Sequence, residues 1–159
     1  MGIDLKLHLG VVDVSHPGGE TTGEVATQLE DRYNLFSAFY NHEKDEISHL
    51  IEEDVNNAVA MLIAGNVLPK SIFGDSTSEI DHLFKDFLST QEAERVLAPG
   101  GKYPVPTQAA LEGKSLRLKG GKRIRKVKKG QEYVTYYGNR RPSFIDSGVL
   151  EASFKSWVE

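Results

Sequence analysis

Residues 21–63 read TTGEVATQLEDRYNLFSAFYNHEKDEISHLIEEDVNNAVAMLI, and the spacing within this stretch decides the fold class. Thr21 and Glu24 have the spacing of a capping box, in which hydroxyl and carboxylate each satisfy an orphan amide at a helix start. Val25, Leu29, Tyr33, Phe36 and Tyr40 follow at steps of four, four, three and four. That rhythm lays an apolar stripe along a helix. A second stripe, Ile47, Ile51, Val55, Ala58 and Leu62, keeps it until Gly65 and Asn66, which suit a left-handed C-terminal cap. Asn41 and His42 lie between the stripes. The sequence leaves open whether they separate two helices or bend one.

Outward from this pair the periods change. Residues 3 to 9 alternate, with Ile3, Leu5, Leu7 and Leu9 on one side and Asp4, Lys6 and His8 on the other, the period of a strand with one buried face. Val11, Val12 and Val14 extend it past Gly10, until His16, Pro17, Gly18 and Gly19 break the chain. Pro69 lies in the connection to a third helix, which Ser76 to Ser78 can cap. That helix carries Ile80, Leu83, Phe84, Phe87 and Leu88 and ends before Pro99, Gly100 and Gly101. Thr107 to Leu111 make a short helical turn closed by Gly113.

From Lys122 to Tyr137 two β-rich runs flank Lys129 and Gly130, which reads as a hairpin jointed by Gly120, Gly121 and Gly138. Pro142 sets off a final unit in which Asp146 or Ser147 caps a short helix and a strand follows from Phe154 to Val158. Its apolar residues, Phe144, Ile145, Val149, Leu150, Phe154 and Trp157, are expected to pack onto the helical stripes. Together these elements predict an α+β fold: a small antiparallel sheet packed against two or three long amphipathic helices, with a protruding basic β-hairpin. At 159 residues the chain suits a single domain, 1–159. The basic arm, 114–141, is inserted before a carboxy-terminal unit, 142–159.

Charge is divided as sharply as structure. Residues 1 to 98 carry eighteen acidic and six basic side chains, while residues 99 to 159 carry five and thirteen, so the net charge of −4 is −12 plus +8. Lys114, Arg117, Lys119, Lys122, Arg123, Arg125, Lys126, Lys128 and Lys129 fall within seventeen residues that hold no carboxylate, and Arg140 and Arg141 follow. Such a run repels itself unless an anion lies beside it, either a nucleic acid or the acidic part of a neighbouring copy. The plainer alternative is a solvated loop.

Catalytic chemistry finds no anchor. The chain has no cysteine, which excludes a disulfide framework, a thiolate metal site and a cysteine nucleophile. Asp146-Ser147-Gly148 matches an aspartic-protease triplet, but only eleven residues follow it, too few for the rest of such a domain, and it reads instead as a turn and cap. Gly113-Lys114-Ser115 ends like a phosphate-binding loop, yet Gln108 holds the place of the first glycine, and Pro104 and Pro106 stand where a strand should be. His42, Glu46, His49 and Glu53 share a helical stripe that lies away from the apolar one and reads as a solvated face. No catalytic residue, metal ligand or cofactor is therefore expected. Tyr133, Tyr136 and Tyr137 among the basic residues would permit base stacking, though strand aromatics more often pack, so contact with DNA is expected to be nonspecific. The start Met-Gly-Ile-Asp lacks the pattern of a secretion signal, and no run approaches the length of a membrane span.

The stretch Arg140-Arg141-Pro142-Ser143-Phe144-Ile145-Asp146-Ser147-Gly148-Val149-Leu150-Glu151-Ala152-Ser153-Phe154 resembles a segment of the neck and tail-completion proteins of tailed bacteriophages, which join head to tail. The order of parts upstream is similar to that family too: Thr21 to Ala26 opening a helix, Leu29-Glu30 and Tyr33 along it, then Pro106 to Ala110 and Gly113 to Ser115. The resemblance covers about two thirds of the chain. It implies a non-enzymatic virion protein, made in the bacterial cytoplasm, that forms a homo-oligomeric ring, a hexamer by analogy, around the DNA channel. Neighbouring neck and tail-tube proteins would be its partners. Under this reading Lys114 to Lys129, Arg140 and Arg141 make inter-subunit or channel contacts. Pro142, Phe144, Ile145, Asp146, Ser147, Gly148, Phe154 and Trp157 form the structural motif. The chain departs from the family in its basic insertion and in Ser147, where threonine is commoner, which leaves open the neck or the top of the tail tube. The competing expectation is a non-enzymatic nucleic-acid-binding regulatory module that uses residues 114–141.

Overall fold

The first helix starts where its capping box predicts. In a computed structural model, which describes residues 5–15, 19–98, 103–111, 113, 140–145 and 148–159, the Glu24 amide donates to the Thr21 hydroxyl (3.3 Å) and the Thr21 amide to the Glu24 carboxylate (2.9 Å). These bonds open α1 (Thr22–Tyr33). Thr22, fully buried, ties the helix to the strand before it: its hydroxyl donates to Val12 O (2.6 Å) and accepts from the Val14 amide (2.8 Å). Beside it the Asp13 carboxylate accepts from the Gly23 amide (2.8 Å). That bond, with the Thr21 and Thr22 hydroxyls, holds the Asp13 carboxyl below its ordinary value of 3.8. A depressed carboxyl adds stability that is present above the unfolded value and lost as pH falls through the folded one. Thermal unfolding between pH 2.5 and 7 is therefore expected to show a loss below about pH 4 that Asp13→Asn makes shallower, while lowering stability at neutral pH.

The break between the first two helices lies at Asn34, not near Asn41 and His42. Asn34 has a left-handed backbone (φ 51°), and α2 (Leu35–Ile63) starts directly after it and runs unbroken through Asn41 and His42. Asparagine tolerates this conformation better than most residues. The Glu30 carboxylate then accepts from the Phe36 amide (2.7 Å), placing an anion on the new N-terminus. At its other end α2 closes as expected: Gly65 (φ 73°) donates to Leu62 O (3.0 Å) and Asn66 to Met61 O (2.9 Å).

The third helix differs from expectation at both ends. α3 (Gly74–Ser89) begins ahead of Ser76, which is buried inside it. The orphan Ser76 amide is satisfied from another helix, by Asp54 of α2 (3.0 Å), so no local serine is needed as a cap. Gln91 (φ 63°) then separates α3 from α4 (Glu92–Leu97). After it come α5 (Gln108–Leu111), closed as expected by Gly113 (φ 59°), and α6 (Val149–Ser153), preceded by Gly148 (φ 74°). Asp146 and Ser147, read as caps for α6, lie outside the described residues.

Among the described residues, which are 61% helix, two strands complete an α+β fold. β1 (Leu7–Val11) pairs antiparallel with β2 (Phe154–Val158), from Leu7 opposite Val158 to Val11 opposite Phe154. Beyond the strands, Lys6 and Glu159 exchange both backbone hydrogen bonds (2.8 and 2.9 Å). Phe154 is fully buried and stacks on Phe84 of α3 (3.9 Å between ring centres, 17° between planes), with Phe39 of α2 edge-on to both. Here α2, α3 and the sheet meet. Leu35, Ile47, Ile80, Phe87 and Leu88 extend the same cluster. Asp81 of α3, also buried, fastens β2 by accepting from the Ser156 amide (2.8 Å) and from Lys155 Nζ (2.5 Å).

Several expected core residues are on the surface, Leu5 (44% exposed) and Tyr40 (46%) among them, and Leu35 and Phe39 take the buried positions of α2 beside Tyr40. Strand alternation sends Phe154 and Ser156 inward and Trp157 outward, where it is 43% exposed and stacks flat on His8 (5.2 Å, 5°). The ring fits because residue 10 is glycine: a Cβ there would lie 3.1 Å from it. Trp157→Ala is accordingly expected to cost about 1–2 kcal/mol in a denaturant titration, not the roughly 3–5 of a buried ring. Leu62, placed by its spacing on the core stripe of α2, is 57% exposed. α2 continues past the start of α3 and loses its covering there.

Candidate interaction site

Arg140 to Ile145, the segment that re-enters the fold after the basic run, is fastened by one buried carboxylate. Glu94 of α4 is almost wholly enclosed (side chain 6% exposed). One of its oxygens, Oε1, accepts from the Ser143 amide (2.9 Å) and the Ser143 hydroxyl (2.6 Å), and Oε2 accepts from Arg140 Nη2 (2.5 Å). Ser143 Oγ in turn accepts from the Thr107 amide (3.1 Å) at the start of α5. A buried carboxylate is tolerable only with its lone pairs filled and a cation near, and this chain supplies both from a segment 49 residues away.

A second fastening lies beside the first. The Arg141 amide donates to Ala110 O (3.2 Å), and its guanidinium donates to Ile145 O. Phe144 is buried, edge-on to Tyr33 of α1 (5.2 Å, 73°), and Ile145 packs partly against the same core. Gly113, hydrogen-bonded to Ala110, and Arg141, bonded to the same carbonyl, therefore stand together. The chain leaves the described fold and returns to it at one place.

Of the expected contact residues, Arg140 and Arg141 are bound within the chain as just described. Lys114, Arg117, Lys119, Lys122, Arg123, Arg125, Lys126, Lys128 and Lys129 lie outside the described residues, as does the hairpin reading of 122–137. Of the expected structural motif, Phe144 and Phe154 are buried, Pro142, Ile145 and Gly148 half-buried, and Trp157 exposed. No protein-family model, curated protein or solved structure matches the chain. Among the described residues no cluster of acidic and histidine side chains has the geometry to hold a metal ion, and no helix is long and apolar enough to cross a membrane.

Glu94 and Asp81 are the two anchoring residues that pattern reading missed. Asp81 carried a signal: with Thr77, Phe84 and Leu88 it falls on one row of α3 at steps of four, three and four, so a carboxylate stands where a core residue belongs. Glu94 carried almost none. Its helix is too short for a period, and its partners come from the far side of the basic insertion.

Proposed function

We propose that the chain is a non-enzymatic ring subunit at the head-to-tail joint of a tailed bacteriophage, at the neck or the top of the tail tube. One observation carries the reading furthest. The basic insertion begins and ends at one point, where the Ala110 carbonyl accepts from both of its flanks, Gly113 and Arg141, and Glu94 holds the returning one. An arm mounted this way, read from its sequence as a basic hairpin, can carry charge to a partner without disturbing the core beneath.

The division of charge supplies the partner. In a ring each subunit meets its neighbours through two different surfaces, so a chain of −12 in one part and +8 in the other is complementary to itself head to tail. An arm docked on a neighbour's carboxylates leaves the channel free of strong grip on the DNA that must pass. This favours the neighbour over DNA as the arm's main anion. It leaves room for nonspecific phosphate contact.

Deleting residues 121–138 tests the reading. Sedimentation of the purified protein, alone and with short duplex DNA, is expected to show ring-sized oligomers of the parent chain without DNA and monomers of the deletion, which still unfolds cooperatively. A parent chain that stays monomeric and binds duplex with steep salt dependence would make it a nucleic-acid-binding module instead. Loss of the deletion's cooperative transition would place the arm in the core.

A further inference from the structure

The sheet is closed along one edge and open along the other. Lys6 exchanges both backbone bonds with Glu159, and the Val12 amide donates to Ser153 O (2.7 Å), so the even-numbered residues of this strand turn their amides and carbonyls toward β2. Leu7, Leu9 and Val11 turn theirs the other way. Among the described residues nothing bonds to them. The corresponding edge of β2 is occupied by α3, where Asp81 accepts from the Ser156 amide and Thr77 O accepts from the Ser156 hydroxyl (2.9 Å). A strand edge with unpaired amides and carbonyls is a template for another strand. Leu5 and Val12, at the two ends of this edge, are exposed.

We propose that β1 of a second copy of the chain docks on this edge, antiparallel about a twofold axis at Leu9, so that one sheet runs across two chains. The strand is complementary to itself in that register. Leu9 is the midpoint of the bonded stretch from Lys6 to Val12, so an axis there pairs its full length. Leu7 then lies opposite Val11 of the copy on the face toward the core, while on the other face Lys6 lies opposite Val12 and His8 opposite Gly10. No charge meets its like. An axis at His8 would bring the two imidazoles together, and one at Leu7 would set Lys6 against His8. Because α3 closes the edge of β2, growth stops at two copies instead of continuing into a fibre. The contact joins like surfaces, unlike the head-to-tail contacts of a ring, so it goes beyond the ring reading and does not rest on it. It is also short, and is expected only in concentrated protein.

The chain has no cysteine, so cross-links report the register directly. Lys6→Cys and Val12→Cys, mixed and oxidised in concentrated solution, are expected to give the mixed dimer severalfold faster than either variant alone, and faster than Ser89→Cys, an exposed control on α3. Residue-resolved amide exchange gives a second reading on the unaltered chain. The Leu7, Leu9 and Val11 amides are expected to exchange fast in dilute solution and to slow as concentration rises, while those of His8 and Gly10, paired with β2, stay protected throughout. Mixed cross-linking no faster than the control would overturn the proposal. So would exchange at the three edge amides that does not change with concentration, whether slow, because the chain itself covers the edge, or fast, because no copy reaches it. Slowing without the mixed cross-link would assign the edge to another surface of the chain and overturn the self-pairing.

Discussion

Truncating Phe84 to alanine is expected to cost about 3–5 kcal/mol, the largest loss of any single substitution considered for this chain. The ring is fully buried and touches three others: it stacks on Phe154 of β2 at 3.9 Å and on Phe36 at 5.4 Å, and Phe39 meets it edge-on at 5.1 Å. Its removal leaves a void between elements rather than within one, so no single helix can relax to fill it. For the variant, chemical denaturation should show a midpoint far below the parent's at unchanged slope. A loss under about 1 kcal/mol would mean that the α2, α3 and sheet contact is not the centre of the core.

Glu94→Ala should cost about 2–4 kcal/mol, through a different mechanism. The alanine leaves the Ser143 amide and hydroxyl without their acceptor and removes the Arg140 counter-ion, while Arg140 can still turn to water because it is half exposed. Glu94→Gln keeps the shape and an acceptor for Ser143, so it should fall between parent and alanine. A double-mutant cycle with Ser143→Ala is expected to show coupling of about 1 kcal/mol or more. Hydrogen exchange at the Ser143 amide gives an independent reading. An amide as protected in Glu94→Ala as in the parent would show that the segment is held by packing alone.

These two cases also mark how far the chain is legible from sequence. Thr21 with Glu24, Gly65 with Asn66, and the strand from Phe154 to Val158 were read correctly because each is specified within a few residues. The turn at Asn34 leaves no periodic trace, since the stripe runs on through Tyr33 and Phe36 and the cap of α2 comes from Glu30 across the turn; at Ser76 the acceptor, Asp54, is 22 residues away. Hydrophobicity alone points Trp157 inward, whereas the alternation through Phe154 and Ser156 points it outward. The charge division was plain, and so was the basic insertion. Its mounting was not, since a buried carboxylate on a six-residue helix leaves no periodic trace.

The antiparallel pairing of Leu7 with Val158 has a kinetic meaning that its small size conceals. It joins the two ends of nearly the whole chain, and closing a flexible loop of that length costs roughly 4 kcal/mol in entropy before any contact is made. Five residue pairs in a lone two-stranded ribbon do not recover that sum. Once α1, α2 and α3 have packed, the same ends are brought near each other at little further cost, and Phe154 finds Phe84 already in position. The sheet is therefore expected to form late, as a clasp over helices already packed.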